Sequence, residues 1–213
     1  MIPERFCIEY PTRVLCLLEN LAEQAAAMDL STTFIVSLAM PMLVIPLERL
    51  KSGHKFSDAK VDSRLNRAYE GLKRKPFGET PFWQGSDQAR WRFAYVIKNV
   101  DRPDRWRDTN GSHPLAGQPA IRAEDVCFEN ILLTLRNGLA HGSVVYLDEQ
   151  GQERPNRRVT QVGFLSNIRG DEAAPAGSHR LVVVEEQALR RFLIAWCQWM
   201  QTFHLSTSLR LAA

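Results

Sequence analysis

The sequence predicts a mainly α protein, a helical bundle with a small antiparallel β insertion before its last helix. Three observations predict it. Residues 121–141 carry one apolar stripe, with Phe128, Ile131, Leu132, Leu135 and Leu139 at i, i+3, i+4, i+7 and i+11. Residues 12–28 and 31–51 are long and apolar and begin and end on helix punctuation. Residues 143–184 turn to β-branched and aromatic runs separated by turn residues, and a helical stripe resumes at residue 185.

The elements follow in order. Residues 12–28 form a first helix. Asp29-Leu30-Ser31 breaks it and offers an N-cap to a second, which Pro41 and Pro46 bend and Gly53 stops. Residues 58–75 form a third, more polar helix closed by Pro76 and Gly78, and residues 88–99 a fourth. Residues 101–119 hold three prolines and two glycines and form a loop. The helix over 121–141 is capped by Gly142. Short strands at 143–147, 158–165 and 180–184 make the insertion. The last helix, from 185 to about 203, places Leu189, Phe192, Leu193, Trp196, Met200 and Phe203 on one face.

Composition agrees with one domain over residues 1–213, the insertion at about 143–184 lying within it. With 45% hydrophobic and 24% charged residues, the chain can bury a core and is not disordered. The net charge of +3 permits a polyanionic partner without requiring one. Cys7, Cys16, Cys127 and Cys197 form no CxxC pair and no zinc-finger spacing, so reduced thiols are expected. The opening MIPERFCIEYP lacks a secretory pattern, and the apolar stretch 33–47 is short and interrupted by proline. The expected location is cytoplasmic, away from membranes.

Chemistry concentrates at the end of the 121–141 helix. At about 100° per residue, Asn130, Thr134, Asn137 and His141 cluster opposite the apolar stripe, and Arg136 lies on a flank with Glu129. Arg136 offers a permanent forked cation suited to phosphate. His141 can give or take a proton near neutral pH, and it sits in the last turn, where the helix dipole favours cations. Asn137, four residues before it, can hydrogen-bond the imidazole or a ligand. Together these residues suffice for metal-independent cleavage of an RNA phosphodiester by its own 2′-hydroxyl. No cofactor and no metal ligand set is indicated. Arg136 and His141 stand about 140° apart on an ideal helix, so a twofold homodimer that joins two such rows is expected.

The segment Arg136-Asn137-Gly138-Leu139-Ala140-His141 resembles the RX4-6H motif of the HEPN superfamily, with Asn in the polar slot after Arg and Gly142 closing the helix. Residues 40–50, MPMLVIPLERL, resemble an early helix of bacterial and plasmid-borne members. The resemblance implies an HEPN-like bundle, a dimer with the motif at its interface, and Arg136, Asn137 and His141 as catalytic residues. It implies a metal-independent endoribonuclease acting as a toxin or defence effector, with RNA as substrate and an antitoxin protein as partner. The alternative is a non-catalytic module that binds RNA, nucleotide or a protein.

A second RNA contact is expected from the basic and aromatic run that includes Arg90, Arg92, Arg105 and Arg107, with Trp91 and Trp106 as stacking rings. Phe93, Val96 and Ile97 within it read as core-facing. His54, His113, His179 and His204 read as surface or capping residues. Lys73-Arg74-Lys75 and the arginines at 154, 157 and 158 read as solvated faces.

Overall fold

The structure is a computed structural model. It describes the backbone of residues 6–50, 63–155, 157–168 and 174–211, and the side chains of residues 9–50, 63–155, 157–168 and 174–203. His54 and the beginning of the expected third helix lie outside the described residues. Two compact units are present: Met1–Arg74 with Leu189–Ala213, and Lys75–Ala188.

The first unit is helical. It contains α1 (Phe6–Ala27), α2 (Ser31–Ala39), α3 (Ile45–Leu50), α4 (Ser63–Lys73) and all but the first residues of α6 (Glu186–Leu211). On α1, Val14, Leu15 and Leu18 are buried, against exposed Leu17 and Leu21 on the other side. Between α2 and α3, residues Met40–Val44 form a π-helical turn, at the prolines expected to bend this helix. Pro46 has no N–H to donate to the Met42 carbonyl, one turn before it. The buried Trp196 indole N–H donates to that carbonyl instead, at 3.0 Å. Thus α6 supplies a donor where Pro46 has none. The stretch Ser31–Leu50 is long and apolar enough to cross a membrane by length and composition. Ile35, Ala39, Met42, Leu43, Leu47 and Leu50 within it are buried. The α6 stripe Leu189, Phe192, Leu193, Trp196 and Met200 is buried as its spacing predicts.

The second unit corrects the fold class. It is built on a five-stranded antiparallel sheet, ordered β2-β1-β5-β4-β3, and the chain is a mixed α/β fold rather than a helical bundle. The strands are β1 (Trp91–Val96), β2 (Ile121–Arg122), β3 (Val144–Leu147), β4 (Gln161–Asn167) and β5 (His179–Glu185). The expected insertion holds only three of the five. β1 replaces the helix expected at 88–99, and it pairs with β5 from Trp91↔Val184 to Val96↔His179. Phe93, Val96 and Ile97 match a helical spacing, but Trp91, Phe93 and Tyr95 alternate with Arg92, Ala94 and Val96, and pairing with a central apolar strand favours the period of two.

The sheet is covered on both faces. α5 (Phe128–His141) packs on one face through β4 and β5. It starts seven residues later than its apolar pattern suggests, because Cys127 is extended and bridges Pro76, while the Phe128 N–H donates to the Lys75 carbonyl at 2.8 Å. Phe77 lies against Trp83, Trp91 and Phe128, with ring centroids 5.0–5.7 Å apart. The opposite face carries Val96, Leu147, Leu165, Leu181 and Val183 around Trp106, whose indole N–H donates to the Val100 carbonyl at 3.1 Å. β5 contributes to both cores, which explains its unbroken run LVVV.

Leu135 on α5 is fully buried. Leu135→Ala is expected to cost about 2–5 kcal/mol in a denaturant titration; a loss near zero would show that the stripe is not packed. Burial also pushes the Cys197 thiol up to about 12, whereas Cys16 is exposed. At pH 8, iodoacetamide should therefore alkylate Cys16 in the folded protein and spare Cys197. Because the folded thiol holds its proton more tightly than the unfolded one, its contribution to stability is complete below the ordinary thiol range and is lost as pH rises toward 12.

Candidate functional site

The end of α5 is held in place by three local features. Gly142 is left-handed at φ 68°, and the Ser143 N–H reaches back to the Gly138 carbonyl at 2.8 Å, a Schellman-type closure. Gly138 faces β4: a Cβ there would stand 3.0 Å from Phe164 Cβ and 3.3 Å from the Ser143 carbonyl oxygen. The third feature is polar. Arg136 Nη1 donates to Asn137 Oδ1 at 2.6 Å, Asn137 Nδ2 donates to Ser166 Oγ at 2.8 Å, and Ser166 Oγ donates to the Asn167 carbonyl at 3.1 Å.

The row opposite the apolar stripe is therefore not an open face. Thr134 is fully buried and donates its hydroxyl to the Asn130 carbonyl at 2.7 Å. Asn137 is bonded to β4, and its carboxamide orients Arg136. Only the end of the row is open, where His141 is exposed.

At this end lies a cavity of about 920 Å³. α5 contributes Arg136, Asn137 and His141, β4 contributes Ser166, and β5 contributes His179 and Arg180. Asp101 and Glu153, both exposed, also line it. Arg136 and His141 thus reach one cavity in a single chain despite their angle on the helix. The long arginine side chain closes the gap that an ideal wheel shows between Cβ directions.

The sheet register accounts for the other members. Ser166 pairs with Arg180 and Asn167 with His179. Alternation sends Ser166 and Arg180 to the α5 side, and Asn167 and His179 to the Trp106 side. β3 pairs with β4 only as far as Val144↔Phe164, so the last residues of β4 extend past it. The cavity takes its lining from both sides of the sheet at that end. Arg180 is 4% exposed. His179 is half-buried, and its Nδ1 is buried without a hydrogen bond. His179 was expected as a surface or capping residue and Arg180 was not singled out, because a His at a loop end and an Arg at a strand start are ordinary. The available signal was an Arg at the head of an otherwise apolar central strand.

The four arginines expected to bind RNA are placed elsewhere. Arg92 donates to the carbonyls of Leu115 and Gly117 at 2.9 and 2.5 Å, tying down the long loop, and partial burial lowers its pKa. Arg90 pairs with Glu185 at 3.6 Å and Arg105 with Asp104 at 3.5 Å, and Arg107 donates to the Trp106 carbonyl at 2.7 Å. Trp91 and Trp106 are buried and present no stacking face. None of the four lines the 920 Å³ cavity. His113 is structural: Nε2 is 2.8 Å from the Pro103 carbonyl, and the ring stacks on Trp106. Among the described residues, no group of three or more His, Cys, Asp or Glu side chains is arranged to hold a metal ion.

Gly138→Ala tests the seating of α5. Alanine favours the helix by about 1 kcal/mol, while overpacking against Phe164 and the Ser143 carbonyl costs about 1–3 kcal/mol. A net loss of stability in thermal or urea unfolding is expected; a gain near the full helix preference would show that α5 stands off from β4. No protein-family model, no curated protein and no solved structure matches this chain.

Proposed function

We propose that the chain is a metal-independent endoribonuclease whose site is the cavity at the end of α5. One observation carries this reading: Arg136 and His141 line the same cavity, and Arg136 donates there to Asn137, itself anchored on Ser166. A fixed guanidinium beside an exposed imidazole supplies a phosphate clamp and a proton-transfer group. RNA brings its own nucleophile, the 2′-hydroxyl, next to the scissile phosphorus. Arg136 would bind the non-bridging oxygens and stabilise the charge that grows on them in the transition state. His141 would assist proton transfer at the attacking or the leaving oxygen. Asn137 acts here as a positioning residue, since both ends of its carboxamide are engaged.

The reading retains the resemblance of residues 136–142 to the HEPN motif as a proposal about chemistry. A cytoplasmic toxin or defence effector, checked by an antitoxin protein, belongs to the same proposal.

The test is incubation of purified protein with single-stranded RNA in EDTA. The expected products end in a 2′,3′-cyclic phosphate and a 5′-hydroxyl, and DNA of the same sequence stays intact. His141→Ala should lose about 10²–10⁴-fold in rate with its fold unchanged. Arg136→Ala should lose comparably, and Arg136→Lys should recover only part, because an ammonium cannot reproduce the fork. Cleavage that depends on added metal, or His141→Ala at the wild-type rate, would sink the mechanism. RNA bound by wild type but never cut would favour the non-catalytic binding module.

A further inference from the structure

We infer that the site is complete within one chain, with His179 of β5 as the proton-transfer partner of His141; this rests on the ribonuclease reading above. Cleavage by a 2′-hydroxyl needs two proton transfers. One group takes the proton of O2′ as that oxygen bonds to phosphorus. Another gives a proton to O5′ as the P–O5′ bond breaks. Atoms and charge then balance with no oxidant, reductant or added co-reactant, and the products are a cyclic phosphate and a hydroxyl. The α5 motif supplies one imidazole, and a second copy of the chain was the expected source of another.

The cavity already contains two imidazoles. His141 comes from the last turn of α5 and His179 from the first position of β5. His179 lines the cavity, and its buried Nδ1 makes no hydrogen bond, so no partner at that atom fixes the tautomer of the ring. Its strand neighbours are uncharged: Val96 on β1 and Asn167 on β4. The charged and titratable groups around the same cavity are Asp101, Arg136, His141, Glu153 and Arg180. Arg180 follows His179 and stands opposite Ser166, the residue that anchors Asn137. Arg136 and Arg180 both line this cavity, so its α5 side is cationic, as a phosphate-bearing ligand requires. A volume of about 920 Å³ lies at the upper end of ordinary ligand pockets and suits a dinucleotide better than a lone phosphate.

The test compares two substrates in EDTA. One is an RNA dinucleotide, whose leaving O5′ must be protonated. The other is a nucleoside 3′-(p-nitrophenyl) phosphate, whose phenolate leaves without a proton. His141→Ala and His179→Ala should each lose at least about 10²-fold on the dinucleotide. On the activated ester, one of the two should return to within about tenfold of wild type, which identifies the acid, while the other stays impaired. An equimolar mixture of the two variants should remain inactive, because each chain then lacks half of its own site. His179→Gln gives the same readings if His179→Ala loses its near-ultraviolet circular dichroism. Full activity of both His179 variants on the dinucleotide overturns the inference and leaves the ribonuclease reading standing. Identical responses of the His141 and His179 variants to the leaving group, or recovery on mixing, also overturn it. Wild-type protein that leaves the dinucleotide intact overturns both readings.

Discussion

The close approach of α5 to β4 at Gly138 is the constraint on which the site depends. A helix carrying a side chain at this position would stand further from Phe164. Asn137, one residue earlier, would then lose its 2.8 Å bond to Ser166, and with it the anchor through which it orients Arg136. The left-handed Gly142 acts at the same place, turning the chain sharply enough for Ser143 to cap α5 and for β3 to begin beside β4. Two glycines four residues apart thus do opposite work. One permits contact through the absence of a side chain, and the other permits a turn through its backbone freedom.

That contact explains why the polar row of α5 is bonded rather than solvated. A helix lying on a sheet buries a wide sector, and here the sector extends beyond the apolar stripe to the fully buried Thr134, with Asn137 half-buried at its edge. Two of its polar side chains are bonded: Thr134 to its own helix and Asn137 to the neighbouring strand. Leaving either unpaired would cost about 1–3 kcal/mol, so the row is specified as strictly as the apolar core. The helical unit follows the same rule, with the Trp196 indole bonding the carbonyl that Pro46 cannot serve.

Within the cavity, the cationic and titratable side chains differ in exposure. Arg180 is buried at the base of the strand while His141 is exposed at the helix end. Under the ribonuclease proposal, this exposure suits His141 to proton transfer, which needs access to substrate. The arginines of the 90–107 segment differ from these. Arg92 is committed to loop carbonyls, and Arg90 and Arg105 lie beside carboxylates.

The helices of the first unit, the proline-bent segment, the strands at 144–147, 161–167 and 179–185, and the Arg136–Asn137–His141 grouping were legible in the amino-acid order. Each rests on local rules: a 3.6-residue stripe, missing proline N–H groups, β-branched runs, and a glycine after a helix. The sheet as the organising element was not legible. β1 satisfies both periods over six residues, and only pairing with β5, which lies 83 or more residues later in the chain, selects the strand. The same non-local pairing decided the site. Register alone puts Arg180 across from Ser166, and Ser166 within reach of Asn137, and no spacing in the sequence encodes that meeting. Sequence by itself determined which chemistry the end of α5 can offer, because that chemistry resides in side chains one helical turn apart. Tertiary structure decided what stands opposite it, because hydrogen-bonded strands bring together residues whose separation along the chain carries no information about their distance in space.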